Sequence, residues 1–191
     1  DARGQFAIAK TNAIGQSEQR VFDERHGKVK KLTGPNGLVT TWDFDPFGRE
    51  SLETRADGTQ KRTVYLKAPN GITSSYAYYT QVDVTGLPSA RTQHDILGRE
   101  FRTQTTGFDG SLIYVDKVFN QRGELVKLSE PYSANETPQW TTLTYDALSR
   151  TLTATAPGNR LTTFNYAGLT TSETNPLGQK TTKTTNSNGD L

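Results

Sequence analysis

Apolar and polar residues alternate along this chain in short runs, the period-two pattern of strands with two unlike faces. The run 38–44 shows it most plainly: Leu38, Thr40, Trp42 and Phe44 fall on one face, Val39, Thr41 and Asp43 on the other. Comparable runs predict strands over 50–55, 60–67, 72–84, 112–119, 125–128, 140–145, 151–155, 161–166, 169–174 and 180–185. Leu112-Ile113-Tyr114-Val115 is the most apolar of them. Nowhere do apolar residues recur at helical spacing behind a capping signal, so very little helix is expected. The stretch 129–139, with Pro131 and Pro138, is the longest segment without a strand pattern and is expected to be an irregular insertion.

Between the strands one turn keeps returning. Phe44-Asp45-Pro46-Phe47-Gly48-Arg49, His94-Asp95-Ile96-Leu97-Gly98-Arg99 and Tyr145-Asp146-Ala147-Leu148-Ser149-Arg150 share an aromatic, an acid, two fillers, a small residue and a base. Phe119-Asn120-Gln121-Arg122-Gly123-Glu124 and Thr174-Asn175-Pro176-Leu177-Gly178-Gln179 are degenerate copies. Asp or Asn can bond its own backbone two residues on, and Gly takes positive φ without a Cβ penalty, so each copy is a tight turn. The marking Asp or Asn falls at 45, 95, 120, 146 and 175, in steps of 50, 25, 26 and 29 residues. The first step is therefore two repeats. Asn12-Ala13-Ile14-Gly15-Gln16, a copy with one extra residue at 22–28, and Phe164-Asn165-Tyr166-Ala167-Gly168 are weaker variants.

Plainer turns lie midway, at Asn36-Gly37, Asp57-Gly58, Asp109-Gly110, Pro157-Gly158 and Asn188-Gly189, and another follows Ala68 through Gly71. Each unit is thus strand, turn, strand, turn, and a period of this size points to stacked supersecondary units. The fold class expected is all-β, a run of antiparallel hairpins over residues 1–191. The aromatic heads Phe44, Phe119 and Tyr145 are expected to pack on one another as a ladder.

Composition agrees with strands and turns. Only 32% of the residues are hydrophobic, thirty are Thr and seventeen are Gly. Formal net charge is only +2, with both signs interspersed, so there is no basic stripe of the kind nucleic acid requires. Without cysteine there is neither a disulfide framework nor a thiolate metal site, and the redox compartment stays open. No apolar run approaches the length of a membrane span. Both ends of the sequence cut through the repeat, which leads us to expect a fragment of a longer chain.

The turn at Tyr145-Asp146-Ala147-Leu148-Ser149-Arg150, with its relatives headed by Phe44, His94 and Phe119, resembles the YD repeat of the bacterial Rhs family. That wider family includes Rhs polymorphic toxins, wall-associated repeat proteins, the B and C components of insecticidal toxin complexes, and teneurins. The resemblance covers the chain from about Asn12 onward. It implies a long curved or spiralling sheet that forms part of a shell around a toxic or unfolded cargo, in a secreted or cell-surface protein. The implied partners are neighbouring repeats of the parent chain and toxin cargo or other toxin subunits. His94 stands where the family usually has Tyr, and Ser149 replaces Gly; both are expected to be tolerated variants. The family's C-terminal autoproteolytic core has no counterpart here, and Asp45-Pro46-Phe47-Gly48 sits on the repeat grid as a turn.

Candidate chemistry is sparse. His26 and His94 are the two histidines, and strand neighbours such as His94 and Asp95 point to opposite faces, which excludes a dyad. Carboxylates occur singly, with no calcium-loop spacing. No catalytic, metal or cofactor site is expected. The repeat-defining structural residues are Phe44, Asp45, Gly48, Arg49, His94, Asp95, Gly98, Arg99, Phe119, Asn120, Gly123, Tyr145, Asp146, Arg150, Asn175 and Gly178. The reading they favour is a shell segment, and the alternative is a surface module that recognises glycans through Tyr76, Tyr78 and Tyr79.

Overall fold

The computed structural model describes residues 4–68 and 76–186. The expected turn at Asn188-Gly189, most of the turn from Ala68 through Gly71 and the start of the strand predicted over 72–84 lie outside the described residues. The described chain is all-β, with antiparallel pairing throughout, and holds no helix. It divides into two compact units, Asp1–Thr92 and Gln93–Leu191.

In the first unit, β1 (Ala9–Thr11), β2 (Ser17–Asp23), β3 (Lys28–Thr33), β4 (Val39–Phe44), β5 (Glu50–Thr54), β6 (Gln60–Lys67) and β7 (Tyr78–Val84) pair in chain order. Trp42 faces Glu53 and Leu52 faces Arg62. The division between units falls inside β8 (Ala90–His94), which returns along β7: the Leu87 N–H donates to the Val84 carbonyl (3.0 Å) and Arg91 Nε to Gln81 Oε1 (2.8 Å). A meander puts alternate turns at opposite strand ends. The turns at 23–28 and 45–49 share one end, and those at 12–16, 34–38 and 55–59 share the other.

The second unit holds β9 (Glu100–Thr106), β10 (Leu112–Phe119), β11 (Leu125–Ser129), β12 (Tyr132–Ser133), β13 (Trp140–Tyr145), β14 (Thr151–Ala156), β15 (Arg160–Ala167), β16 (Thr170–Thr174) and β17 (Lys180–Thr184). The meander runs β9, β10, β11, β13 and onward, because β11 pairs directly with β13. Within the stretch expected to be irregular, β12 leaves the meander and pairs with β10.

One turn expectation needs correction. Phe164 to Ala167 are not a turn but the end of β15, whose apolar alternation continues through Phe164 and Tyr166; the chain reverses at Gly168-Leu169, with Gly168 at φ 59°. That reversal shares its strand end with the turns at 95–99, 120–124 and 146–150. The turn at Asn175 consequently falls at the opposite end, which accounts for its wide step of 29.

Little is deeply buried. Among the described residues Ala68 is the one apolar side chain that is buried, and most strand residues are half-covered by their neighbours. The buried polar residues are Asp23, His94, Asp95 and Ser129. Three of these four stand at repeated turns, which makes the turns the most enclosed polar places in the fold.

Candidate functional site

Asp95 shows how the turn is built. Its N–H donates to the Arg99 carbonyl and the Gly98 N–H returns to the Asp95 carbonyl, each 3.0 Å; its Oδ1 accepts the N–H groups of Leu97 and Arg99 at 2.9 Å. Gly98 stands at φ 77°. This is a type I turn closed by a left-handed residue, the three-residue hairpin with a bulge. The same bonds recur at Asp45, Asn120, Asp146 and Asn175, and at Asn12. Just behind the heads Phe44, Phe119 and Tyr145 the strand register slips. The midway turns at 55–59 and 107–111 use the same backbone, but the acid sits third in the loop and caps from there: Asp57 Oδ1 accepts the Thr59 N–H at 2.9 Å.

Side chains lock each turn in one of two complementary ways. In the Asp copies the base donates: Arg49 Nε lies 2.7 Å from Asp45 Oδ2, Arg99 Nε 2.7 Å from Asp95 Oδ2, and Arg150 Nε 2.6 Å from Asp146 Oδ2. In the Asn copies the polarity reverses, and the amide donates to an acceptor four residues on. Asn120 Nδ2 reaches Glu124 Oε2 at 2.7 Å, Asn175 Nδ2 reaches Gln179 Oε1 at 2.7 Å, and Asn12 Nδ2 reaches Gln16 Oε1 at 2.8 Å. The copies that look degenerate in sequence therefore build the same lock. Hydrogen bonding sets the charge state of the acids. Burial pushes Asp45 and Asp95 up, but the N–H and guanidinium of Arg49 and Arg99 outweigh it and hold both below the usual carboxylate range. At Asp146 the Arg150 N–H is the leading cause of the same depression.

Successive units are joined by these bases, not by an aromatic ladder. Lys28 Nζ lies 5.7 Å from the Phe44 ring centroid, and the guanidinium carbons of Arg49, Arg99 and Arg150 lie 3.8, 4.7 and 4.5 Å from those of Tyr65, Phe119 and Tyr166. Each base belongs to one turn and each ring to the following unit. Among the described residues Phe44, Phe119 and Tyr145 do not pair with one another; Phe44 meets the His26 ring at 6.3 Å. Equivalent heads stand two strands apart, roughly 10 Å, which a guanidinium between them spans better than ring contact does. Tyrosine hydroxyls add a second link. Tyr145 Oη donates to the Leu125 carbonyl (2.7 Å) and Tyr166 Oη to the Thr151 carbonyl (2.9 Å), each the first residue after the preceding turn.

Where Glu124 takes the place of the arginine, Arg122 substitutes: its Nη2 donates to the Ala147 carbonyl and to Ser149 Oγ, both at 3.1 Å. Ser149, at φ 60°, thus has a partner that glycine would lack. His94 Nδ1 lies 3.3 Å from the carbonyl of Gly98, within its own turn. Gly48 is fixed twice over, by φ 75° and because a Cβ there would meet His26 Cδ2 at 2.6 Å. Among the described residues no three His, Cys, Asp or Glu side chains group as metal ligands, and no helix is long and apolar enough to cross a membrane. Tyr78 and Tyr79 are half-buried, and Arg91 lies 5.2 Å from the Tyr79 ring centroid.

Residues 22–60, which hold the turns at Asp23 and Asp45, match the family model of the RHS repeat. Solved structures share the fold of this chain. In the crystal structure of TcdB2-TccC3 the likeness has a TM-score of 0.69 at 12% identity, over 97% of this chain and 13% of that one. In the crystal structure of TcdB2-TccC3-Cdc42 the values are 0.68 and 10%, over 97% and 16%. The chain thus spans a small fraction of the length of those chains. No curated protein sequence matches it significantly.

Proposed function

We propose that this Rhs segment is a passive stretch of wall in a larger, secreted toxin-type shell that encloses a toxic or unfolded cargo. The observation that carries the reading is the clamp of a turn base over the ring of the following unit, at Lys28, Arg49, Arg99 and Arg150. A hairpin alone is marginal in water, so a wall needs every unit fastened to the next. Here the polar and aromatic residues of the turns are spent on that fastening. The RHS repeat and the fold shared with the TcdB2-TccC3 structures support the same reading. Neighbouring repeats and other toxin subunits are its partners, and the segment has no turnover of its own.

The test is to express the parent protein with and without residues 1–191 and to digest both with protease. Cargo protected only when the segment is present is the expected result. Cargo that stays protected without it, or tight glycan binding by the segment itself, overturns the proposal in favour of adhesion.

A further inference from the structure

We propose that the loop 130–139 is an intramolecular plug that masks a self-association edge on β10. The loop is an excursion from a ladder that is complete without it. Ser129 already faces Trp140 across the β11–β13 pair, and the Glu130 N–H closes the base of the loop on the Gln139 carbonyl at 2.8 Å. From that base the chain swings back to lay Tyr132 and Ser133 against Tyr114 and Ile113.

What the plug covers is specific. β10 is paired along one side with β9 from Leu112 to Asp116, but on its other side β11 reaches only Lys117 to Phe119. The Asp116 N–H is capped by Ser129 Oγ at 2.8 Å. With the plug lifted, Leu112 to Val115 would present a bare strand edge with no charge, proline or glycine and with high strand propensity, the composition that pairs most readily with another chain. The occupant that fits is the same segment of a second copy. Antiparallel pairing about a two-fold axis between Ile113 and Tyr114 sets Leu112 against Val115 and Ile113 against Tyr114, apolar on apolar, and Asp116 against Ser111 without like charges.

The plug is held by its two-residue pairing with β10 and by a latch on Tyr132. Tyr132 Oη donates to Asp116 Oδ2 (2.7 Å), which with Oδ1 also receives Nη2 and Nε of Arg102 (2.7 and 2.6 Å), and the Tyr132 and Tyr114 ring centroids are 5.7 Å apart. An open pocket of about 460 Å³, lined by Pro131, Tyr132, Glu136 and Thr137, lies within the loop.

The experiment replaces residues 130–139 of the full chain by an Asn-Gly turn and follows mass by sedimentation across a concentration series. A folded variant that dimerises, and returns to monomer when Val115→Lys is added, is the expected result. A folded variant that stays monomeric, or a dimer that survives Val115→Lys, overturns the proposal. Should the replacement not fold, Tyr132→Phe decides by hydrogen exchange: the Tyr114 amide, on the same side of β10 as that of Asp116, should exchange about fivefold faster, with Ile113, whose N–H faces β9, and distant strands unchanged. Unaltered exchange at Tyr114 overturns it as well.

Discussion

The guanidinium of Arg150 lies 4.5 Å from the ring centroid of Tyr166 while its Nε donates to Asp146 at 2.6 Å. One side chain therefore ties down its own turn and also grips the next unit. A planar guanidinium can bond a carboxylate edge-on and stack by its face at the same time, which an ammonium cannot. In a double-mutant cycle of Arg150→Ala and Tyr166→Leu, the coupling energy is expected to be about 0.5–1 kcal/mol. Arg150→Lys should lose most of that coupling. Denaturant unfolding measures both, and a coupling near zero would show that the stack fastens nothing.

Tyr145 contributes through its hydroxyl as well as its ring. Its bond to the Leu125 carbonyl at 2.7 Å is a link that Phe119, in the corresponding place, cannot make. Tyr145→Phe is expected to cost about 1 kcal/mol, and Tyr145→Ala clearly more. An unfolding midpoint for Tyr145→Phe equal to that of the parent would remove the hydroxyl from the account.

The two locks should be exchangeable only as pairs. Asn120→Asp alone sets a second carboxylate against Glu124, where an amide now donates at 2.7 Å, so the thermal midpoint should drop. Adding Glu124→Arg converts the pair to the Asp–Arg form found at Asp45–Arg49 and should restore it. Failure of the double variant to recover would mean that Glu124 is held by more than Asn120, such as Arg122, whose Nη2 lies 3.3 Å from Glu124 Oε1.

How far these features can be read from sequence depends on their reach along the chain. The loop at Asp45 is local: its acid, its Gly and its capped N–H groups lie within four residues, so turn chemistry alone predicts it. The Asn120–Glu124 lock was equally local, and its signal was an acceptor four residues after Asn where the Asp copies have a donor. The base-to-ring clamp was not local. It joins residue 28 to 44, 49 to 65, 99 to 119 and 150 to 166, and so depends on bulges and strand register that no local pattern encodes. β12 escaped because two residues cannot display an alternation, and its docking depends on the ion pair of Arg102 and Asp116, fourteen residues apart.

Gly48 and Gly58 separate backbone strain from contact. Both take positive φ, 75° and 83°, but a Cβ at Gly48 would meet His26 at 2.6 Å whereas at Gly58 it would meet nothing within 4 Å. Gly58→Ala should cost only the left-handed penalty of about 1–2 kcal/mol. Gly48→Ala should cost more, and His26→Ala in the same chain should return part of the excess. Equal midpoints for the two single variants would show that the His26 ring yields freely.

The carboxylate of Asp116 ties stability to pH. Burial pushes its pKa up, but the hydrogen bonds from Arg102 and Tyr132 prevail and hold it below the usual carboxylate range, while burial and the bond to Asp116 push the Tyr132 hydroxyl up. A carboxylate that binds its proton more weakly in the folded state stabilises the fold above its unfolded pKa, about 3.9, and loses that contribution as pH falls through the lower folded value. The raised tyrosine acts at the other limb: its contribution is complete below the ordinary value of about 10 and is lost as pH rises through the folded one. Thermal midpoints should therefore decline on both sides of a neutral plateau. Asp116→Asn should lower the plateau and flatten the acid limb only in part, because the turn acids Asp45, Asp95 and Asp146 are depressed as well. Tyr132→Phe should remove its share of the alkaline limb and leave the turn acids untouched. An acid limb in Asp116→Asn as steep as in the parent would place the whole dependence in the turns and none in the pair with Arg102.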